Sequence, residues 1–301
     1  LMIDAMARGY QGLGEGRYLD TARGAAEFIL REMGQRSEPR RGAGGGFDKT
    51  AIKNQNSKIK NLLLHSYKDV RARFNAYLDD YASLIDSLVT LYESDFQPRW
   101  LVAALELADV MIEQFWDESG GSFFFTGRDH EQLIARVRDA HDSATPSGNS
   151  MAVTALLRLG KLTGRGDLMT KAERTLESFS GVMSQLPRAT GQMLIALDFM
   201  LNRPCEIVLV PGDSATGPQE LTAAEQLIRQ RFLPNKVVAA PPAASRDQAP
   251  STSQAPIDRV VPLLADKKSI DGKVTAYICE NYACQAPTVG LEALAAALGQ
   301  R

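Results

Sequence analysis

The stretch from Tyr81 to Trp116, "YASLIDSLVTLYESDFQPRWLVAALELADVMIEQFW", decides how the chain is read. Tyr81, Leu84, Ile85, Leu88, Leu91 and Tyr92 fall at the i, i+3, i+4, i+7 spacing of one helix face. Leu101, Leu105, Ala108, Ile112 and Phe115 repeat that spacing after Phe96-Gln97-Pro98. Proline suits the first turn of a helix, where the amide hydrogen it lacks would have no partner anyway. The stretch therefore reads as two helices joined by a tight turn.

The same unit recurs in "LMIDAMARGYQGLGEGRYLDTARGAAEFILREM" from Leu1 and "SMAVTALLRLGKLTGRGDLMTKAERTLESFSGVM" from Ser150, with Gly14, Gly16, Gly164 and Gly166 at the turns. A further first helix, "RATGQMLIALDFML", starts at Arg188. Because helical spacing is present from the first residues, with no capping residue or initiating methionine, the sequence reads as the C-terminal part of a longer protein. Turns within each pair are short. Connections between pairs are long and carry strand-like pieces, "NLLLHSY" at Asn61 to Tyr67 and "GGSFFFTG" at Gly120 to Gly127. Stacked helix pairs with this connectivity predict a toroid of inner and outer helices, with the long connections gathered at one mouth.

That helical domain is expected over residues 1–203, interrupted by a polar, glycine-rich surface insertion at 34–60. A small α/β domain follows at 204–301. "CEIVLVPG", "GPQELTAAEQLIRQRF" and "NKVVAA" make a β-α-β unit with a parallel pair; 241–256 is a low-complexity linker or loop; the tail is a strand, a cysteine-bearing loop and a helix.

Composition bounds the function. The 301 residues are 44% hydrophobic and 23% charged with a formal net charge of −2, so no global field favours nucleic acid or anionic lipid. No apolar run is long enough to span a bilayer, and the start has no secretion-signal pattern, which points to the cytoplasm. Cys205, Cys279 and Cys284 are expected to be free thiols, and no cationic residue stands near Cys279 and Cys284 in the sequence to make them reactive. His65, His130 and His141 lack HExxH or HxxxH spacing, and Cys279-x4-Cys284 has no second pair, so neither a metal nor another cofactor is expected.

If each first helix is an inner one, its N-terminal end faces the mouth. This brings "FNAYLDDYA" (Phe74 to Ala82), "RDAHDSATPSGNS" (Arg138 to Ser150) and "SQLPRATG" (Ser184 to Gly191) together. Asp79 and Asp80 can cap a helix, or can accept hydroxyl protons from a polyhydroxylated ligand that stacks on Tyr77 and Tyr81. Ser147 or Asn149 suffices to start the next helix, which leaves Asp139, His141 and Asp142 as a surplus fit for acid–base chemistry.

"YLDDYASLIDSLVTLYE", "PRWLVAALELADVMIEQFWDESGGSFFFTG", "DSATPSGNSMAVTALLRL" and "CENYACQAP" together resemble the C-terminal two-thirds of the thioredoxin-domain-containing family that includes spermatogenesis-associated protein 20. The resemblance implies a partial (α/α)6 toroid, similar to six-hairpin glycosidases and N-acylglucosamine 2-epimerases, and an N-terminal thioredoxin-like domain outside this sequence. Asp79, Asp80 and Tyr81 match the family's acidic-aromatic motif. Asp142, Pro146, Ser147, Gly148 and Asn149 match its Pro-Ser-Gly-Asn motif, while His141 stands where an aromatic residue is common. The expected function is acid–base chemistry on a small carbohydrate by carboxylates at the mouth, as either glycoside hydrolysis or sugar epimerisation. Asp79, Asp80, His141 and Asp142 are the candidate catalytic groups, and Tyr77, Tyr81, Asp139, Ser147 and Asn149 the candidate binding groups. The competing expectation is a non-catalytic interaction module whose groove holds a peptide or partner.

Overall fold

The computed structural model describes residues 1–35, 62–131, 134–202, 204–213, 215–242, 257–280 and 283–299. Most of the 34–60 insertion and of the 241–256 linker lies outside these residues.

The hairpins form where the periodicity places them. They are α1 (Met2–Leu13) with α2 (Gly16–Phe28), α3 (Leu78–Asp95) with α4 (Pro98–Phe115), and α5 (Gly148–Thr163) with α6 (Gly166–Ser178). A lone α7 (Gly191–Leu201) follows. Gly14 and Gly164 end α1 and α5 with φ of 74° and 68°, a left-handed conformation that glycine adopts without steric cost. Phe96 ends α3 in the same region at φ 53°, although it carries a side chain. Burial of its ring, edge-on to Tyr92, helps hold that conformation.

α1, α3, α5 and α7 pack side by side in chain order, and α2, α4 and α6 each lie against the helix before them. α5 buries every residue except Thr154, whereas α2 buries only Leu19, Ala22 and Ala26. A helix apolar around most of its circumference sits inside, and one with a single apolar stripe sits outside. The chain is thus mainly α, an arc of inner helices backed by outer ones.

The long connections carry β1 (Leu62–Lys68) paired antiparallel with β2 (Arg71–Asn75), and the short hairpin of β3 (Trp116–Asp117) and β4 (Ser122–Phe123). Both are tied to the N-terminal ends of inner helices. The first backbone amide of α3, at Leu78, donates to Phe125 O at 3.1 Å.

In the α/β unit, β5 (Cys205–Val210) pairs parallel with β6 (Lys236–Ala239) across α8 (Gly217–Arg229). It also pairs antiparallel with β7 (Thr275–Glu280), so the sheet is mixed rather than purely parallel. β8 (Ala283–Cys284) and β9 (Thr288–Val289) flank β7, and α9 (Leu291–Gly299) packs on α8. The unit is built into the helical arc. Glu93 of α3 accepts the Val238 amide at 3.1 Å, and Lys161 of α5 pairs with Glu206 of β5 at 3.0 Å, both side chains almost fully buried.

The expectation of free thiols is corrected for two of the three cysteines. Cys279 and Cys284 stand opposite each other in the β7–β8 register and form a disulfide. Cys205 is buried and takes no part in it.

Candidate functional site

At the start of α3 two adjacent carboxylates do different work. Asp80 accepts the Tyr77 amide at 2.9 Å, which satisfies a free N–H of the first turn, and meets His65 Nδ1 at 2.8 Å. The Asp79 carboxylate instead lies over Gly148, the first residue of α5, where an added Cβ would fall 2.1 Å from Oδ1. Among the described residues it has no hydrogen-bond partner. Half-burial, then the negative charges of Asp80 and Asp139, hold its pKa above the ordinary 3.8.

Asp139 behaves oppositely. Burial works to raise its pKa, but the His141 amide at 2.9 Å and the His141 ring at 2.6 Å outweigh burial and leave it below 3.8. Both Asp139 and His141 are about half exposed. Hence His141 serves Asp139 rather than Asp142. Two carboxylates that feel each other, one pushed up and one pulled down, are the arrangement from which acid and base roles are assigned.

The other candidates have structural partners. Asp142 accepts the Ser147 amide at 3.0 Å and the Gln192 amide at 2.8 Å. It thereby closes the 142–147 loop and caps α7 from a distant part of the chain. Ser147 caps α5, its hydroxyl accepting the Ser150 amide at 3.1 Å. Asn149 is buried; its Oδ1 accepts the Phe123 amide, and its Nδ2 donates to the carbonyls of Phe123 and Asp139. Those bonds leave little of its amide for a substrate hydroxyl. Its work is to fasten the hairpin and the Asp139 segment to α5.

The aromatic residues are also redistributed. Tyr81 is 2% exposed, tilted against Phe115, and its hydroxyl accepts the Leu63 amide at 2.7 Å; burial pushes its pKa up to about 12. It therefore packs in the core instead of offering a face at the mouth. Tyr77 stacks on Phe125 at 4.9 Å and 14°, with His65 edge-on at 5.2 Å. Phe125, which sequence reasoning did not single out, is the exposed member of that stack. The "GGSFFFTG" aromatic run was the signal that could have found it.

Of these groups, His65, Asp79 and Asp80 line a cleft of about 380 Å³ together with Ser83, Thr145 and Pro146, and Asp139, His141, Tyr77 and Phe125 lie outside its lining. Pro146 and Leu1 also border a larger cavity of about 930 Å³ between the inner helices and the α/β unit. Arg158 lines it, buried and paired with Asp86 and Glu93, with Thr90 Oγ1 at 3.1 Å. This network was also missed. Its trace in the sequence is a polar row, Asp86, Thr90 and Glu93, at helical spacing within an apolar helix. Among the described residues no three His, Cys, Asp or Glu side chains converge as a metal site, and no helix is long and apolar enough to cross a membrane.

No established family profile matches the chain. Spermatogenesis-associated protein 20 of Homo sapiens is 34% identical over 212 residues, which is 70% of this chain and 26% of that protein; the Rattus norvegicus protein gives the same figures. An uncharacterised protein of Caenorhabditis elegans is 26% identical over 98% of this chain and 36% of its own length. The chain thus spans about a quarter of the curated relatives it matches first. Among solved structures, the GH76 alpha-mannanase BT2949 of Bacteroides thetaiotaomicron overlaps 67% of this chain and 56% of its own, at 13% identity and a TM-score of 0.42. That overlap is too loose to carry an argument. The sequence relationship does carry one: this chain belongs to the family that includes spermatogenesis-associated protein 20.

Proposed function

We propose that the rim of the helical arc carries out acid–base chemistry on a small carbohydrate, with cleavage of a glycosidic bond as the reaction. Asp79 is the proton donor and Asp139 the ionised partner. In this reading the Asp79 carboxyl protonates the leaving oxygen as the bond to the anomeric carbon breaks. The Asp139 carboxylate stabilises the positive charge that develops there and takes up the proton of the attacking water. His141 keeps Asp139 ionised, and the exposed face of Phe125 offers an apolar surface to a sugar ring.

The observation that carries the reading is the divergence of the two carboxylates. Among the described residues Asp79 has no hydrogen-bond partner, and it holds its proton more tightly than usual, while Asp139 holds its proton less tightly. A structural cap needs the reverse for Asp79, because capping bonds favour the ionised form. Asp80 and Asp142 accept capping backbone amides, and Asp79 accepts none among the described residues.

The test is a panel of mono- and oligosaccharides screened by thermal shift and by release of reducing ends, on the wild type, Asp79→Asn and Asp139→Asn. The reading expects at least one sugar to be bound by all three proteins and cleaved by the wild type alone. Sugar binding without cleavage by the wild type would leave a lectin-like module, and absence of both would return the groove to a peptide or partner.

A further inference from the structure

The α/β unit carries a second chemical feature that the rim chemistry does not use. Cys279 sits on β7 with 1% of its surface exposed, while Cys284 is on the exposed two-residue strand β8. Their disulfide is therefore buried at one sulfur's residue and open at the other's. Lys267, seventeen positions before Cys284, places Nζ 3.3 Å from Cys284 Sγ and over the Tyr277 ring at 4.8 Å. A small cavity of about 170 Å³ opens beside the bond, lined by Gly164, Pro262, Leu263, Ala265, Lys267 and both cysteines. The sequence shows no cation near this pair. The fold supplies one.

An ammonium group beside a sulfur favours thiolate over thiol and so favours the attacking and leaving species of disulfide exchange. An inert staple has no use for that contact, for an exposed cysteine or for an adjoining cavity. We propose that Cys279 and Cys284 form a thiol–disulfide exchange site for low-molecular-weight peptide disulfides, with Cys284 as the reacting sulfur, Cys279 as the resolving sulfur and Lys267 as the cation that stabilises the Cys284 thiolate.

In the reduced protein, the Cys284 thiolate attacks one sulfur of the substrate disulfide. A mixed disulfide forms, and the other substrate sulfur leaves as a thiolate that takes a proton from water. Cys279, having given its proton to solvent, then attacks Cys284 Sγ. The Cys279–Cys284 bond closes and the second substrate thiolate leaves. Two electrons pass from the dithiol to the substrate, and one disulfide and two thiols emerge. An excess of the same small thiol runs the steps backward and regenerates the dithiol. The site does not rest on the carbohydrate reading.

The test uses glutathione disulfide as the probe. Reduced wild-type chain, checked as folded by circular dichroism, is expected to release two glutathione molecules per chain and recover its disulfide. Cys279→Ser is expected to stop at a mixed disulfide on Cys284, located by peptide mass analysis. Adding Lys267→Met to Cys279→Ser is expected to slow formation of that adduct at pH 7 by at least about threefold, since the gain in thiolate population outweighs the loss of intrinsic nucleophilicity. The proposal is overturned if the folded, reduced chain releases no glutathione. It is equally overturned if Cys284 reacts at the same rate with and without Lys267.

Discussion

Asp79 Oδ1 occupies space that a side chain on Gly148 would need, 2.1 Å from the position of a Cβ there. The glycine of the Pro-Ser-Gly-Asn stretch is thus explained by a carboxylate on a different helix. With no Cβ at 148, the start of α5 can approach the start of α3 closely enough for Asp79 to lie half-buried between them.

Gly148→Ala should therefore destabilise the chain by about 1–3 kcal/mol, the usual cost of overpacking a close contact. In a double-mutant cycle with Asp79→Ala, about 1 kcal/mol or more of that loss should be recovered, because the second change removes the colliding oxygen. Urea unfolding of the four proteins measures it. Strict additivity would place the clash on Leu78, whose side chain also comes within 3.0 Å of that Cβ.

The two carboxylates should give opposite pH signatures. Asp79 has its folded pKa raised above 3.8, so its ionisation opposes folding: stability is highest below 3.8 and declines as pH rises through the folded pKa. Asp79→Asn should raise Tm at pH 7 and have a smaller effect at pH 3. Asp139 has its folded pKa lowered, so its contribution is present above 3.8 and is lost as pH falls through the folded value. Asp139→Asn should lower Tm at pH 7, and His141→Ala should raise the pKa of Asp139. Thermal melts across that range check the signs.

Asp142→Ala should cost about 1 kcal/mol, as expected for loss of a helix cap, since the Gln192 and Ser147 amides lose their acceptor. Sugar binding, where present, should persist once the protein is folded. Loss of binding at temperatures where the variant remains native would return Asp142 to the site.

Asn149→Ala should be more severe, about 2–4 kcal/mol, because the buried amide and carbonyl of Phe123 both lose their partner. Arg158→Met leaves Asp86 and Glu93 facing each other inside the protein and should cost about 3–5 kcal/mol. Adding Asp86→Asn and Glu93→Gln should return part of that loss. Denaturant titration distinguishes these outcomes.

Helix positions were legible because burial on one face leaves a periodic record along the same segment. Gly14, Gly164 and Pro98 mark turns for reasons local to their own backbones. The rim was legible only as a neighbourhood. That Asp79 and Asp80 would diverge depends on which neighbour each carboxylate meets, Gly148 for one and the Tyr77 amide for the other. Asp142 reads as reactive surplus until Gln192, fifty positions away, is seen to donate to it. Tyr81 and Asn149 carry polar groups that suit a ligand as well as they suit backbone amides, and the choice is made by β1 and β4 folding over them. Lys267 is invisible as a partner of Cys284 for the same reason. Periodicity records which face of an element is covered, and does not record by what.

The acid–base assignment is tested most directly by following the side-chain carboxyl carbons of Asp79 and Asp139 in a carbon-13 NMR titration of the folded chain. The account predicts that Asp79 titrates above 3.8 and Asp139 below it, with Asp139→Asn lowering the Asp79 value by removing the charge already present when Asp79 titrates. Asp79 titrating at or below Asp139 would contradict the assignment of proton donor and ionised partner.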